Sequence, residues 1–139
     1  MSYVLDTDIT SALQHKHPTV VAHVAETPQA ELFFTIVSFE EQCAGRLGVL
    51  NRQLAAAKLI EAYERLRETL AFYAIVNILN YDDDAALIDA RLRGSSKRLG
   101  TKDRRVAAIT LAHEHTLVTR NTVDFQDIPG LSIEDWTIL

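Results

Sequence analysis

Short apolar runs alternate with amphipathic stretches along the chain, and that alternation predicts strands interleaved with helices. Tyr3 to Leu5 is an apolar run that ends in Asp6 and predicts a buried strand, with a helix following from about Asp8. Pro18 suits the first turn of a second, short helix that Thr27-Pro28 closes. Glu31 to Val37, rich in aromatic and β-branched residues, predicts the second strand. Ser38-Phe39-Glu40-Glu41 has the spacing of a capping box opening a helix to about Gly48, and Leu59, Ala62, Tyr63, Leu66 and Leu70 mark one face of a longer helix between Arg52 and Leu70. Phe72 to Leu79 predicts a third strand. A helix over Asp82 to Leu92 is broken at Gly94-Ser95-Ser96-Lys97; Thr101 caps the next, which runs through Ala112. A strand over Thr116 to Thr119, a Pro129-Gly130 turn and a last apolar segment, Leu131 to Leu139, complete the pattern. The fold class this implies is α/β, a mostly parallel sheet of four to five strands with helices on both faces.

A length of 139 residues with 47% hydrophobic and 24% charged positions suits one packed domain and excludes disordered, fibrous and disulfide-built classes. The single Cys43 fits a reducing compartment. No basic leader and no apolar run of membrane-spanning length occurs, so the expected location is the cytoplasm, with no membrane partner.

Net charge is −5, from 14 basic and 19 acidic residues, but its distribution is uneven. The segment from Arg91 to Arg105 carries seven basic residues and one acid, Asp103, so it is strongly positive while the rest is acidic. Such a segment is suited to a phosphate backbone. Its plain alternative is a solvated helix face and a basic loop.

Four acids fall at helix starts or after strands: Asp6, Glu41, Asp103 and Asp124. Ligands of open α/β sheets bind beyond the carboxyl ends of the strands, where these four can meet. Carboxylates gathered within about 5 Å repel by roughly 3 kcal/mol per pair at an effective dielectric of 20, so a cluster must hold protons or bind cations. Oxygen ligands without His or Cys select Mg²⁺ or Mn²⁺ over zinc. Each acid also has a local reading. Asp6 can cap a helix, Glu41 can be the capping-box partner of Ser38, Asp103 can favour a helix N-terminus and Asp124 can form an Asx turn.

The order and context of these residues resemble a known family. Val4-Leu5-Asp6-Thr7-Asp8-Ile9, Ile36-Val37-Ser38-Phe39-Glu40-Glu41, Gly100-Thr101-Lys102-Asp103, Leu117-Val118-Thr119-Arg120-Asn121-Thr122-Val123-Asp124-Phe125 and the ending Pro129-Gly130-Leu131 to Glu134-Asp135-Trp136 are similar, in register, to the motifs of PIN-domain ribonucleases of the VapC type. The resemblance covers nearly the whole length and implies a single PIN domain over residues 1–139, with a three-layer fold. It implies a metal-dependent endoribonuclease toxin of a toxin–antitoxin pair, with Asp6, Glu41, Asp103 and Asp124 as catalytic, metal-binding acids. Thr7, Ser38 and Asn121 become positioning groups. The implied cofactor is Mg²⁺ or Mn²⁺, and the implied partners are an RNA substrate, a cognate antitoxin and a second copy of the chain. Lys97, Arg98, Lys102 and Arg104 are the candidate RNA-binding residues. Asp8 departs from the family pattern, which has Asn there.

Two other activities share residues with this one. Asp6-Thr7-Asp8-Ile9-Thr10 resembles the opening signature of haloacid-dehalogenase-type phosphatases, with Asp6 as nucleophile, but Asp82-Asp83-Asp84 lacks the glycine context of that family's later acidic motif. A module that binds an antitoxin without turnover is the other, and the presence of all four acids counts against it. The pairs His15/His17 and His113/His115 have no third ligand at zinc-site spacing.

Overall fold

Five strands form one sheet in the order β3-β2-β1-β4-β5, every neighbouring pair parallel: β1 Tyr3–Leu5, β2 Leu32–Thr35, β3 Ile78–Leu79, β4 Thr116–Val118 and β5 Ile133–Glu134. The structure is a computed structural model and describes residues 1–95 and 99–139. Helices α1 Thr7–Gln14, α2 Pro18–Glu26, α3 Ile36–Leu50, α4 Ala56–Ile75, α5 Asp83–Ser95, α6 Thr101–Ala112 and the short α7 Thr122–Phe125 make the connections.

Side-chain alternation along the strands builds two cores. Val4, Phe33 and Leu117 point to one face, where they pack with Ala85 and Leu92 of α5 and Val106 and Ile109 of α6. Leu5, Phe34 and Val118, one residue on in each strand, point to the other face against Ile9, Val20, Tyr73 and Trp136. The three-layer α/β expectation therefore holds, and a sheet covered on both faces explains why its strands read as unbroken apolar runs.

Several element boundaries differ from the sequence expectation. The residues Ser38 to Glu41 do not form a capping box: α3 starts at Ile36, its N-cap is Thr35, and the Thr35 hydroxyl oxygen accepts from the Ser38 amide at 3.1 Å. Strand β2 thus runs straight into α3 without a loop. The first half of Phe72 to Leu79 is helix, because Phe72 and Tyr73 continue α4 and pack onto the sheet, leaving only Ile78 and Leu79 to pair with β2. Gly94 lies within α5 rather than breaking it, and Thr101 is the first residue of α6, whose cap is Gly100. The predicted Pro129-Gly130 turn is present, with Gly130 at φ +80°, where a side chain is strained.

Candidate active site

The sheet order reverses at β1: the chain moves to β2 on one side and later returns to β4 on the other. A crevice forms beyond the strand ends at such a point. Asp6 stands there, directly after β1, with its amide bonded to the Val118 carbonyl at 3.0 Å. Its side chain is 6% exposed. Oδ1 accepts from the Ile9 amide at 2.9 Å, so Asp6 does cap α1, and the Thr119 hydroxyl is a further partner. Burial pushes its carboxyl up to about 6, against the opposing pull of the Thr119 and Ile9 bonds and helped by the charges of Asp8 and Asp103. Among the described residues no cation pairs with Asp6.

Asp103, in the first turn of α6, is raised by burial and by the charges of Glu41, Asp8 and Asp124. These couplings bring all four predicted acids to the same edge of the sheet, together with a fifth, the exposed Asp8. The local reading of Glu41 does not hold, since it lies well inside α3 and its Oε1 accepts from the Thr7 hydroxyl at 2.6 Å across the α1–α3 boundary. Thr7 Oγ1 also lies 2.9 Å from Ser38 Oγ, which is fully buried. Asp124 sits in α7, and its Oδ2 accepts from the Asn121 side-chain amide at 2.8 Å. The Asn121 backbone amide in turn donates to the Thr119 hydroxyl oxygen at 3.0 Å.

Thr119 is the residue the sequence reading missed. It is fully buried and joins Asp6 on β1 to the segment that carries Asn121 and Asp124. The signal was its place at the end of β4, next to the end of β1 in a parallel pair. Thr35, missed as well, fixes where α3 begins.

The donor set consists of carboxylate oxygens, which suits Mg²⁺ or Mn²⁺. Among the described residues no three His, Cys, Asp or Glu side chains are placed to hold an ion jointly, so the acids are not drawn into one tight cluster. Mg²⁺ keeps several waters and takes one or two carboxylates directly, which is compatible with that spacing.

The candidate RNA-binding residues divide. Lys97 and Arg98 lie outside the described residues. Lys102 is 38% exposed and pairs with Glu40 on the rim of the site. Arg104 is in a different position from the one expected: its side chain is 13% exposed, and Nε donates to Asp89 Oδ1 at 2.6 Å, tying α6 to α5. The histidines have structural contacts, with His17 capping α2 and His115 beside Ser2 and stacked on Phe33.

Among proteins of known kind, the chain is 27% identical to ribonuclease VapC1 of Haemophilus influenzae (strain R2866), the match covering 99% of both. It is 28% identical to the tRNA(fMet)-specific endonuclease VapC of Salmonella typhimurium, over 68% of this chain and 74% of that one. In fold it is similar to a chain of VapBC-1 from nontypeable Haemophilus influenzae, with a TM-score of 0.79 and 23% identity over 99% of this chain and 100% of the other. No protein-family model matches. The chain is thus similar over its whole length to VapC ribonucleases and shares the fold of a solved VapBC chain.

Proposed function

We propose that the protein is an endoribonuclease toxin of a toxin–antitoxin pair that hydrolyses RNA phosphodiester bonds with Mg²⁺ or Mn²⁺, using Asp6, Glu41, Asp103 and Asp124. The observation that carries this reading is a buried aspartate without a cationic partner, facing further acids at the switch point of a parallel sheet. Such an arrangement favours a bound divalent ion over any protein group present there.

When bound, the metal lowers the pKa of a water and neutralises charge on the phosphoryl group. The residues do the remaining work. Asp6 presents one oxygen from a fixed position, because Ile9 and Thr119 hold its carboxylate. Thr7 donates to Glu41 and so fixes the carboxylate whose charge acts on Asp103. Asn121 does the same for Asp124 through its side-chain amide. These are the orienting bonds a ligand shell needs.

The names of the relatives and of the VapBC structure support a cognate antitoxin as partner, and self-association is the further expectation. An RNA substrate places the action in the cytoplasm; among the described residues no helix is long and apolar enough to cross a membrane. The phosphatase reading loses ground because Asp6 has acids rather than a cation around it.

The test is cleavage of single-stranded RNA with Mg²⁺ or Mn²⁺, with and without chelator, in the unsubstituted chain and in Asp6→Asn and Asp103→Asn. Metal-dependent cutting lost in both variants is expected. Cutting that persists in chelator overturns the metal role, and a phospho-aspartate trapped at Asp6 overturns the nuclease.

A further inference from the structure

Next to the acids lies an open cleft of about 340 Å³. Ile36 and Val37 of α3 give it an aliphatic wall, and Tyr81, Arg93 of α5 and Arg105 of α6 line the rest. The Glu40–Lys102 ion pair ties it to the acids: Glu40 lines the cleft and is the neighbour of Glu41, and Lys102 directly precedes Asp103, which feels the charge of Glu41. Small-ligand pockets span about 300–1,000 Å³, so there is room for a single nucleotide.

Two carboxylates border the cleft and both are neutralised. Asp89 accepts from Arg104 and from the Tyr81 hydroxyl, each at 2.6 Å, and Glu40 is paired with Lys102. Arg93 and Arg105 have no ion pair among the described residues. Four cations therefore meet two acids, and the two unpaired ones are guanidinium forks, the groups best matched to a phosphate. Tyr81, whose hydroxyl is anchored on Asp89, is 38% exposed and offers an aromatic ring of the kind on which bases stack.

The geometry points to a nucleotide subsite beside the scissile position: Arg93 and Arg105 hold a neighbouring backbone phosphate of single-stranded RNA, and Tyr81 stacks on the base. This rests on the nuclease reading above and assigns backbone contact to Arg93 and Arg105, since Arg104 is occupied with Asp89. An acidic peptide has equal use for the guanidinium groups but none for the ring, so Tyr81 separates the two.

Binding of a fluorescent single-stranded oligoribonucleotide is measured by anisotropy against salt in the cleavage-silenced Asp6→Asn protein, and cleavage is followed in the otherwise unsubstituted protein. Arg93→Gln with Arg105→Gln is expected to weaken binding about 10-fold and to lower the salt slope by about 1. In cleavage, KM rises while kcat stays within about twofold. Tyr81→Leu is expected to lose about 10-fold without changing the slope, and Tyr81→Phe, which keeps the ring, to bind like the parent. Arg52→Gln, on an exposed turn at the end of α3, serves as the charge control, and thermal melting confirms folding of each variant. Unchanged affinity in the double arginine variant, an equal loss in Arg52→Gln, or a Tyr81→Leu protein that binds normally each overturns the subsite while metal-dependent cleavage stands. If the parent neither binds nor cuts RNA, the nuclease reading fails first and the subsite with it.

Discussion

Two aspartates are almost completely buried in this molecule, and their surroundings are opposites. Asp89, 1% exposed on α5, accepts from Arg104 and Tyr81. Burial works to raise its carboxyl, but those two bonds and the Arg104 charge outweigh burial and hold it below the usual range. Asp6, 6% exposed, has hydroxyl and amide donors but no cation, so burial prevails and its carboxyl rises to about 6. One carboxylate has its counter-charge within the chain and fastens two helices. The other lacks it, which is the condition of a group whose counter-ion arrives from outside.

The sharpest way to break this contrast is Asp6→Asn. Loss of an orienting partner alone costs about 10–100-fold, so removal of the ligand itself is expected to lower cleavage by more than about 100-fold. The same variant should melt at a higher temperature in metal-free buffer, because Asn still caps α1 and the buried charge is gone. A less stable, active Asp6→Asn protein points to capping alone.

The reverse is expected of Arg104→Ala, which leaves Asp89 buried without its ion-pair partner. A cost of about 3 kcal/mol, read as a lowered denaturation midpoint, follows for a largely buried pair. Its effect on turnover should be small by comparison, since the pair lies outside the acid group.

Acidity separates the two in the intact chain. Because the folded pKa of Asp6 lies above its ordinary value of 3.8, its ionisation destabilises the fold at pH 7, and the penalty is lifted as pH falls through about 6. Metal-free protein should gain about 1 kcal/mol between pH 7 and pH 5, seen as a melting point higher by about 3 °C. The stabilisation from Asp89 is present above the ordinary carboxylate pKa and is lost only at lower pH, below this window. Added Mg²⁺ or Mn²⁺ should flatten the pH 7-to-5 gain, and no flattening counts against metal at Asp6.

At Thr7 the expected loss of activity is smaller than at Asp6. Thr7→Val keeps the shape but removes the donor to Glu41, and about a 10-fold loss of kcat is expected, with recovery in Thr7→Ser. Equal activity in all three proteins removes the positioning role.

Much of this was legible in the sequence where local chemistry decides the outcome. The apolar run Tyr3 to Leu5 ending in Asp6 is β1, and Pro18 with Thr27-Pro28 brackets α2. The reading failed where a long-range contact outweighed local pattern. Ser38 and Glu41 have capping-box spacing, but Thr35 takes the cap and Thr7 takes the glutamate. Phe72 and Tyr73 have strand-like composition, yet their place on one face of α4 lets them pack onto the sheet as helix. Arg104 read as one more charge in a basic run, because nothing local reveals that Asp89, fifteen residues earlier, would meet it across two helices. The acids themselves were found by type and order, while their looser spacing was a matter of side-chain placement beyond the reach of sequence.

The parallel pairing of β1 with β4 has a consequence for synthesis. Residues 3–5 occupy the middle of the sheet, flanked on one side by residues 116–118. Most of the chain can therefore be made with its first strand paired to β2 but still lacking β4, and Asp6 meets Thr119 and the Asp124 segment only near the end of elongation. The acids carried by the two ends of the chain are thus brought together only after nearly all of it has emerged.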